Sequence, residues 1–216
     1  MSSKRCVLIT GIPASGKSTL AEYLEKSVGV PLLSKDKIKE ILYDTVGFES
    51  RAGKVKLGDA SMEIMYEMAG HMMKCGCHFL LENNFENVSR DGIANLLKEN
   101  GYEALTIRMT GDYETIYRRF LERDRSGKRH RGHVVNDRYP ETAESSGRLE
   151  HEAVLTFENF LSGIERRGMD SFRIDGPELV VDTTYFNAVN FEAIASAVRD
   201  FLGGYYDMER LITGQM

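Results

Sequence analysis

Two hydrophobic periods alternate along the chain. Val7, Leu8 and Ile9 are consecutive apolar residues within Arg5 to Thr10, the signature of a strand buried on both faces, and Gly11 ends it. Leu20, Ala21, Leu24 and Val28 then recur at helical spacing between Lys17 and Val28, with Gly29 as the stop. Pro31 to Leu33 predicts a second short strand. Ile38, Ile41, Leu42 and Val46 predict a helix opening near Ser34 to Asp36, where an acidic side chain suits the positive helix end. Gly47 to Gly58 is polar and glycine-punctuated and reads as a loop.

Ala60 to Lys74 is a helix whose methionines, Met62, Met65, Met68, Met72 and Met73, read as adaptable core packing. His78 to Glu82 is a second buried strand, Ser89 to Glu99 a helix, Ala104 to Met109 a strand and Tyr113 to Arg123 a helix. Arg125 to Pro140 has no hydrophobic period and reads as a loop or mobile flap. Leu149 to Ile164 is helical, short strands at Ser171 to Ile174 and Leu179 to Asp182 flank a Gly176-Pro177 turn, and Phe191 to Phe201 closes the chain's pattern as a helix. Strand and helix alternate nearly throughout. The expected architecture is an α/β three-layer sandwich with a mostly parallel five-stranded sheet, helices on both faces and ligands at the carboxyl ends of the strands.

A chain of 216 residues with 42% hydrophobic content suits one domain with a substantial core. The longest apolar runs are far shorter than the roughly 20 residues a membrane helix needs, and no signal-peptide core follows Lys4 and Arg5. Three cysteines without framework spacing favour a reducing, cytoplasmic setting, and Cys75 and Cys77 read as small apolar residues entering the next strand. The net charge of -5 is unevenly spread. Arg118 to Arg138 carries eight basic and three acidic residues, so a +5 segment sits in an otherwise -10 chain. Such concentration in an acidic protein suggests a local phosphate task and argues against an extended nucleic-acid surface.

Gly11-Ile12-Pro13-Ala14-Ser15-Gly16-Lys17-Ser18-Thr19 explains that charge. It fits G-x-x-x-x-G-K-[ST] at the junction of a strand and a helix, where curled backbone N–H groups and the helix dipole together face an anion. Lys17 is expected to reach the β and γ phosphates of a nucleotide and the Ser18 hydroxyl to ligate Mg2+.

These residues resemble those of the P-loop kinases, specifically the group with polynucleotide 5′-kinases, zeta-toxin-like kinases and chloramphenicol phosphotransferase. The resemblance spans most of the chain and implies a nucleoside-kinase-like fold with a basic lid at about 119–140, and transfer of the ATP γ-phosphoryl group to a hydroxyl. It implies that Asp36 orients the acceptor hydroxyl and takes its proton, and that Lys39, one turn on, holds an anionic part of the acceptor; the family usually has arginine there. Glu82 resembles the carboxylate that holds magnesium through water, usually aspartate, and Asn84 faces the acceptor. Arg119 and Arg123 match the R-x-x-x-R lid helix whose guanidinium groups embrace the transferred phosphoryl group, with Arg125 and Arg129 next in line. His130 and His133 read as lid surface. Leu179 to Thr184 resembles the final strand and turn near adenine.

The expected function is an ATP- and Mg2+-dependent phosphotransferase acting on a small-molecule hydroxyl acceptor. The alternatives are a polynucleotide 5′-hydroxyl kinase, a nucleotide-dependent ATPase or switch, and a toxin-like enzyme acting on a sugar nucleotide. The acceptor pocket is expected among Gly47 to Gly58, the methionine helix and Tyr139 to Ser146.

Overall fold

The structure is a computed structural model and describes residues 4–141 and 155–203. Five parallel strands form one sheet: β1 (Arg5–Gly11), β2 (Leu32–Ser34), β3 (Leu80–Glu82), β4 (Glu103–Thr110) and β5 (Glu178–Asp182), in the order β2-β3-β1-β4-β5. The central strand aligns Val7 with Leu80 on one side and with Leu105 on the other. Successive β1 side chains point to opposite faces and build the two flanking layers. Val7 and Ile9 pack toward α1 (Lys17–Leu24) and α8 (Phe191–Leu202). Cys6 and Leu8 pack toward α3 (Arg51–Lys74) and α4 (Asn87–Asn100), with Met65 and Met73 fully buried and Met68 at the surface. No helix among the described residues is long and apolar enough to cross a membrane.

Several boundaries differ from the sequence reading. The expected loop at Gly47–Gly58 is largely helix, because α3 begins at Arg51, where the Ser50 hydroxyl accepts a hydrogen bond from Gly53 N at 3.1 Å. Its glycines are packing positions, with Gly53 facing Phe48 and Gly58 facing the Lys39 side chain. The first helix ends at Leu24 and continues as one wide π turn to Gly29. The predicted strand at Ser171–Ile174 is irregular; Phe172 is apolar because it stacks on Phe85 at 5.1 Å in the core, without any ladder partner. Cys75 and Cys77 lie in the turn leaving α3, with Cys75 exposed, so they are not the entry to a buried strand. The helix expected from Leu149 is α7 (Phe157–Arg167), and residues 149–154 lie outside the described residues.

After β4 come α5 (Tyr113–Arg125) and a four-residue helix, α6 (Arg131–Val134). Residues 130–139 lie against α2 (Lys35–Thr45) and the start of α3. Phe48 and Tyr139 exchange backbone hydrogen bonds at 2.8 Å each, and Gly132 lies so close to the Tyr43 ring that a Cβ would stand 2.3 Å from it.

Candidate functional site

The carboxyl end of β1 leads into a loop whose backbone turns through left-handed conformations at Ala14 (φ 63°) and Gly16 (φ 93°) before α1 begins. Alternation of this kind points successive N–H groups at one concavity, and the α1 N-terminus adds its positive partial charge. A side chain at Gly16 is also excluded sterically, since a Cβ there would stand 2.1 Å from the Phe186 ring.

A cleft of about 260 Å3 opens above this loop, lined by Pro13, Ala14, Gly16, Lys17, Ser18, Thr19, Asp36, Glu82, Asn84, Arg119, Arg123 and Arg129. Four separate elements converge here: the phosphate loop and α1, the start of α2, the end of β3, and α5 with the residues after it. Of the other residues singled out from sequence, Gly11 turns the end of β1 against the Met109 carbonyl, and Ser15 is buried with its hydroxyl unpartnered among the described residues. Lys39 stands beside the cleft between α2 and α3, and Arg125 is exposed and outside it.

Lys17 is 7% exposed and donates to the Ile12 carbonyl at 2.9 Å. Burial pushes its ammonium down to about 8, against the pull of Glu82 and Asp36. Glu82 is also buried and accepts hydrogen bonds from Ser34 Oγ at 2.6 Å and Ser18 Oγ at 3.3 Å. Burial raises its pKa, while Lys17 and the two hydroxyls oppose the shift. A buried carboxylate touching the Ser18 hydroxyl is a hard-oxygen pair at the mouth of the loop, which is chemistry that fits Mg2+ when a substrate supplies the remaining oxygens. No group of three or more His, Cys, Asp or Glu residues among the described residues forms a protein-only metal cage.

Asp36 meets solvent yet lies within the cleft, so its environment is crowded with charge. Burial alone would raise its pKa, but His133, Lys39, Lys17 and Lys35 outweigh that and hold the carboxyl below its usual range. It is therefore ionised at neutral pH and able to accept a proton or a hydrogen bond.

The arginines fall into two sets. Arg119 donates to the Thr184 carbonyl at 2.5 Å through Nη2, and Arg123 contacts Asp124 at 3.3 Å. Among the described residues, Arg119 Nη1 and Arg123 Nη2 are buried without hydrogen-bond partners. Arg129 reaches the cleft by a different route, held by Asp124 at 2.5 Å and lying over the Phe120 ring.

Sequence reasoning treated His130 and His133 as surface, and the structure corrects that. The His133 side chain is 7% exposed and bonds Glu40 at 3.2 Å. His130 accepts from Gly132 N at Nδ1, so its Nε2 carries the proton given to Asp44 at 3.0 Å. Lys54, also missed, is buried and donates to the carbonyls of His133 and Val135 and to Asn136 Oδ1. The only sequence signal for Lys54 was a basic residue in a stretch otherwise taken as loop.

A comparison with family models matches residues 7–144 to the AAA domain, while no curated protein sequence matches. Among solved structures, a candidate kinase from Chloroflexus aurantiacus shares 26% identity with a TM-score of 0.75, covering 93% of this chain and 98% of its own. A shikimate kinase from Bacteroides thetaiotaomicron (12% identity, TM-score 0.52, 91% and 97% covered) is similar in fold. So is an APS kinase from Mycobacterium tuberculosis solved with AMPPNP and APS (18%, 0.52, 94% and 99%). The matched family span takes in the phosphate loop, Asp36, Glu82 and the three cleft arginines, and so the chain, with its kinase-like P-loop fold, belongs to the AAA domain family.

Proposed function

We propose that the protein is an ATP-dependent phosphotransferase that moves the γ-phosphoryl group to a hydroxyl of a small molecule. The observation that carries this reading is the pair of buried guanidinium nitrogens on Arg119 and Arg123, unpartnered among the described residues, on side chains that line with Lys17 a cleft above a phosphate loop. Buried donors without partners are costly, and an anion relieves the cost. Three arginines lining one cleft suit a site that handles a transferred phosphoryl group. The similarity to small-molecule kinases supports the same class.

In the proposed reaction the backbone from Gly11 to Gly16 and the Lys17 ammonium hold the β and γ phosphates, with Pro13, Ala14, Ser15 and Thr19 shaping the loop. Ser18, with Glu82 behind it, would hold Mg2+, which when bound offsets charge on the phosphate oxygens. Asp36 orients the acceptor hydroxyl and receives its proton as the new O–P bond forms and the bond to the ADP oxygen breaks. Arg119, Arg123 and Arg129 stabilise charge spread over the transferred oxygens. Asn84, at the cleft edge, contacts the acceptor. Residues 119–140 act as a lid that excludes water, and Arg125, pointing away, takes no part in phosphate binding. Three free cysteines suit work in the cytoplasm.

ADP release measured across nucleosides, sugars, sugar phosphates and 5′-hydroxyl oligonucleotides tests this reading. One acceptor should stimulate ADP release well above the rate in water, and Asp36→Asn should abolish the stimulation while nucleotide still binds. Equal ADP release with and without every acceptor would favour an ATPase.

A further inference from the structure

Arg123 and Arg129 line the same cleft but reach it from different places. Arg123 is on α5, whereas Arg129 follows the end of that helix and the turn at Gly127, where φ is 68°. Two guanidinium groups brought together repel one another. Burial and the Arg129 charge lower the Arg123 pKa, and Asp124 opposes them by charge and by hydrogen bond. Phe120 comes three residues before Arg123 and four before Asp124 on α5, so it neighbours both on the helix surface. Arg129 folds back onto that surface. Asp124 Oδ1 accepts from Arg129 Nη1 at 2.5 Å and from Arg123 Nε at 3.3 Å, and the two guanidinium groups lie over the Phe120 ring at 5.8 Å and 5.3 Å from its centre. Phe160 of α7 backs that ring at 5.4 Å between centres. Neither Phe120 nor Asp124 lines the cleft. One oxygen and one ring therefore hold two cations side by side from outside the cleft lining, while Arg123 Nη2 stays buried without a partner among the described residues.

We propose that Asp124 is a positioning residue which, with the Phe120 ring, holds Arg123 and Arg129 together as one anion-binding pair for the γ phosphate. This rests on the kinase reading and adds to it a residue that touches neither nucleotide nor acceptor. Isolated, exposed ion pairs contribute little. Here the Asp124 and Arg129 side chains are only 22% and 21% exposed, and one oxygen is shared by two donors. The competing role for Asp124 is that of a counterion, occupying the arginines until a phosphate displaces it. The two roles predict opposite signs. Removing a competing carboxylate tightens the binding of an anion, whereas removing a support loosens it. The bonding pattern favours support, because Asp124 engages Arg123 through Nε, and the buried Nη2 is left for an anion without that bond being broken.

The test compares Mg-AMPPNP with Mg-ADP by calorimetry on the full chain, since only the first carries a γ-phosphoryl group. Wild type should bind Mg-AMPPNP about tenfold or more tightly than Mg-ADP. Asp124→Ala should bring that ratio close to one while Mg-ADP affinity stays within about twofold, which also reports that the variant is folded. In an Arg129→Ala background the same substitution should change the ratio less, because one of the two groups that Asp124 holds is gone. A ratio unchanged by Asp124→Ala, or an effect equally large without Arg129, would overturn the proposal. A ratio increased by Asp124→Ala would overturn it in favour of the competing counterion. Equal weakening of both nucleotides would overturn it in favour of a role in the fold alone. A wild-type ratio near one would overturn it while leaving the kinase reading in place. Failure of wild type to bind either nucleotide would instead overturn the kinase reading, and this proposal with it.

Discussion

The basic segment from Arg118 to Arg138 is continuous in sequence but divides in space into two regions with opposite electrostatics. Its first half, on α5, lines the cleft and keeps donors unsatisfied: Arg119 Nη1 and Arg123 Nη2 are buried without acceptors among the described residues. Its second half is paired to its neighbours. His130 and Tyr139 bond Asp44, His133 bonds Glu40, Arg131 bonds Glu141 through two nitrogens at 2.9 Å, and Lys54 from α3 takes the carbonyls of His133 and Val135. Charge that awaits a ligand and charge that holds a strap in place look alike in composition. They differ only in whether the structure supplies a counterpart.

The sharpest way to break this comparison is at the cleft. Asp36→Asn should lower acceptor-dependent turnover by about 10²–10⁴-fold, the span typical of a general base, with nucleotide affinity retained in direct binding. Retained turnover would remove Asp36 from the chemistry. Arg123→Ala should follow, with a loss of about 10²–10³ in kcat and a smaller change in ATP affinity, as expected for a donor serving the transition state. The same loss at Arg125, which is exposed and outside the cleft, would contradict the division; Arg125→Ala should leave kinetics within about twofold.

The strap should respond in stability. Lys54→Met leaves the buried Val135 carbonyl and the part-buried His133 carbonyl without this donor, which costs about 1–3 kcal/mol for a buried group in the unrelieved case. Urea unfolding should show a lower midpoint, and amide exchange should rise in residues 130–139 before it rises in β1. An unchanged midpoint and unchanged exchange would show that the strap is held by its aromatic contacts alone.

The smallest effect is a pH dependence. Lys17 sits at about 8 in the free protein, and a bound phosphate favours its protonated form, so binding above that pH requires proton uptake. Nucleotide affinity should be flat from neutrality to about 8 and then fall by up to about tenfold per pH unit. The fold itself responds with the opposite sign. Between about 8 and the ordinary lysine range the unfolded chain holds the proton that folded Lys17 has lost, so this residue's contribution makes the unliganded fold more stable as pH rises through that window.

Much of this was legible from sequence because it is local. The parallel sheet follows from apolar runs of β1 type, and the phosphate loop from nine consecutive residues. The boundary of α3 was not legible, since Gly53 and Gly58 weaken helix propensity and only their contacts with Phe48 and Lys39 explain them. Ser171–Ile174 misled in the other direction: its apolar residues serve stacking of Phe172 on Phe85, and a core can be filled without a strand.

By itself the sequence determined the five strands of the sheet, the phosphate loop and the carboxylates beside it, because each is written within a short stretch of chain. Tertiary structure alone decided which cationic groups keep donors without acceptors among the described residues. His130 meets Asp44 across 86 residues and His133 meets Glu40 across 93, whereas Arg119 Nη1 and Arg123 Nη2 meet no acceptor among the described residues, although Arg123 also contacts its neighbour Asp124. Pairing of charges depends on distances through space, and those exist only once the chain has folded.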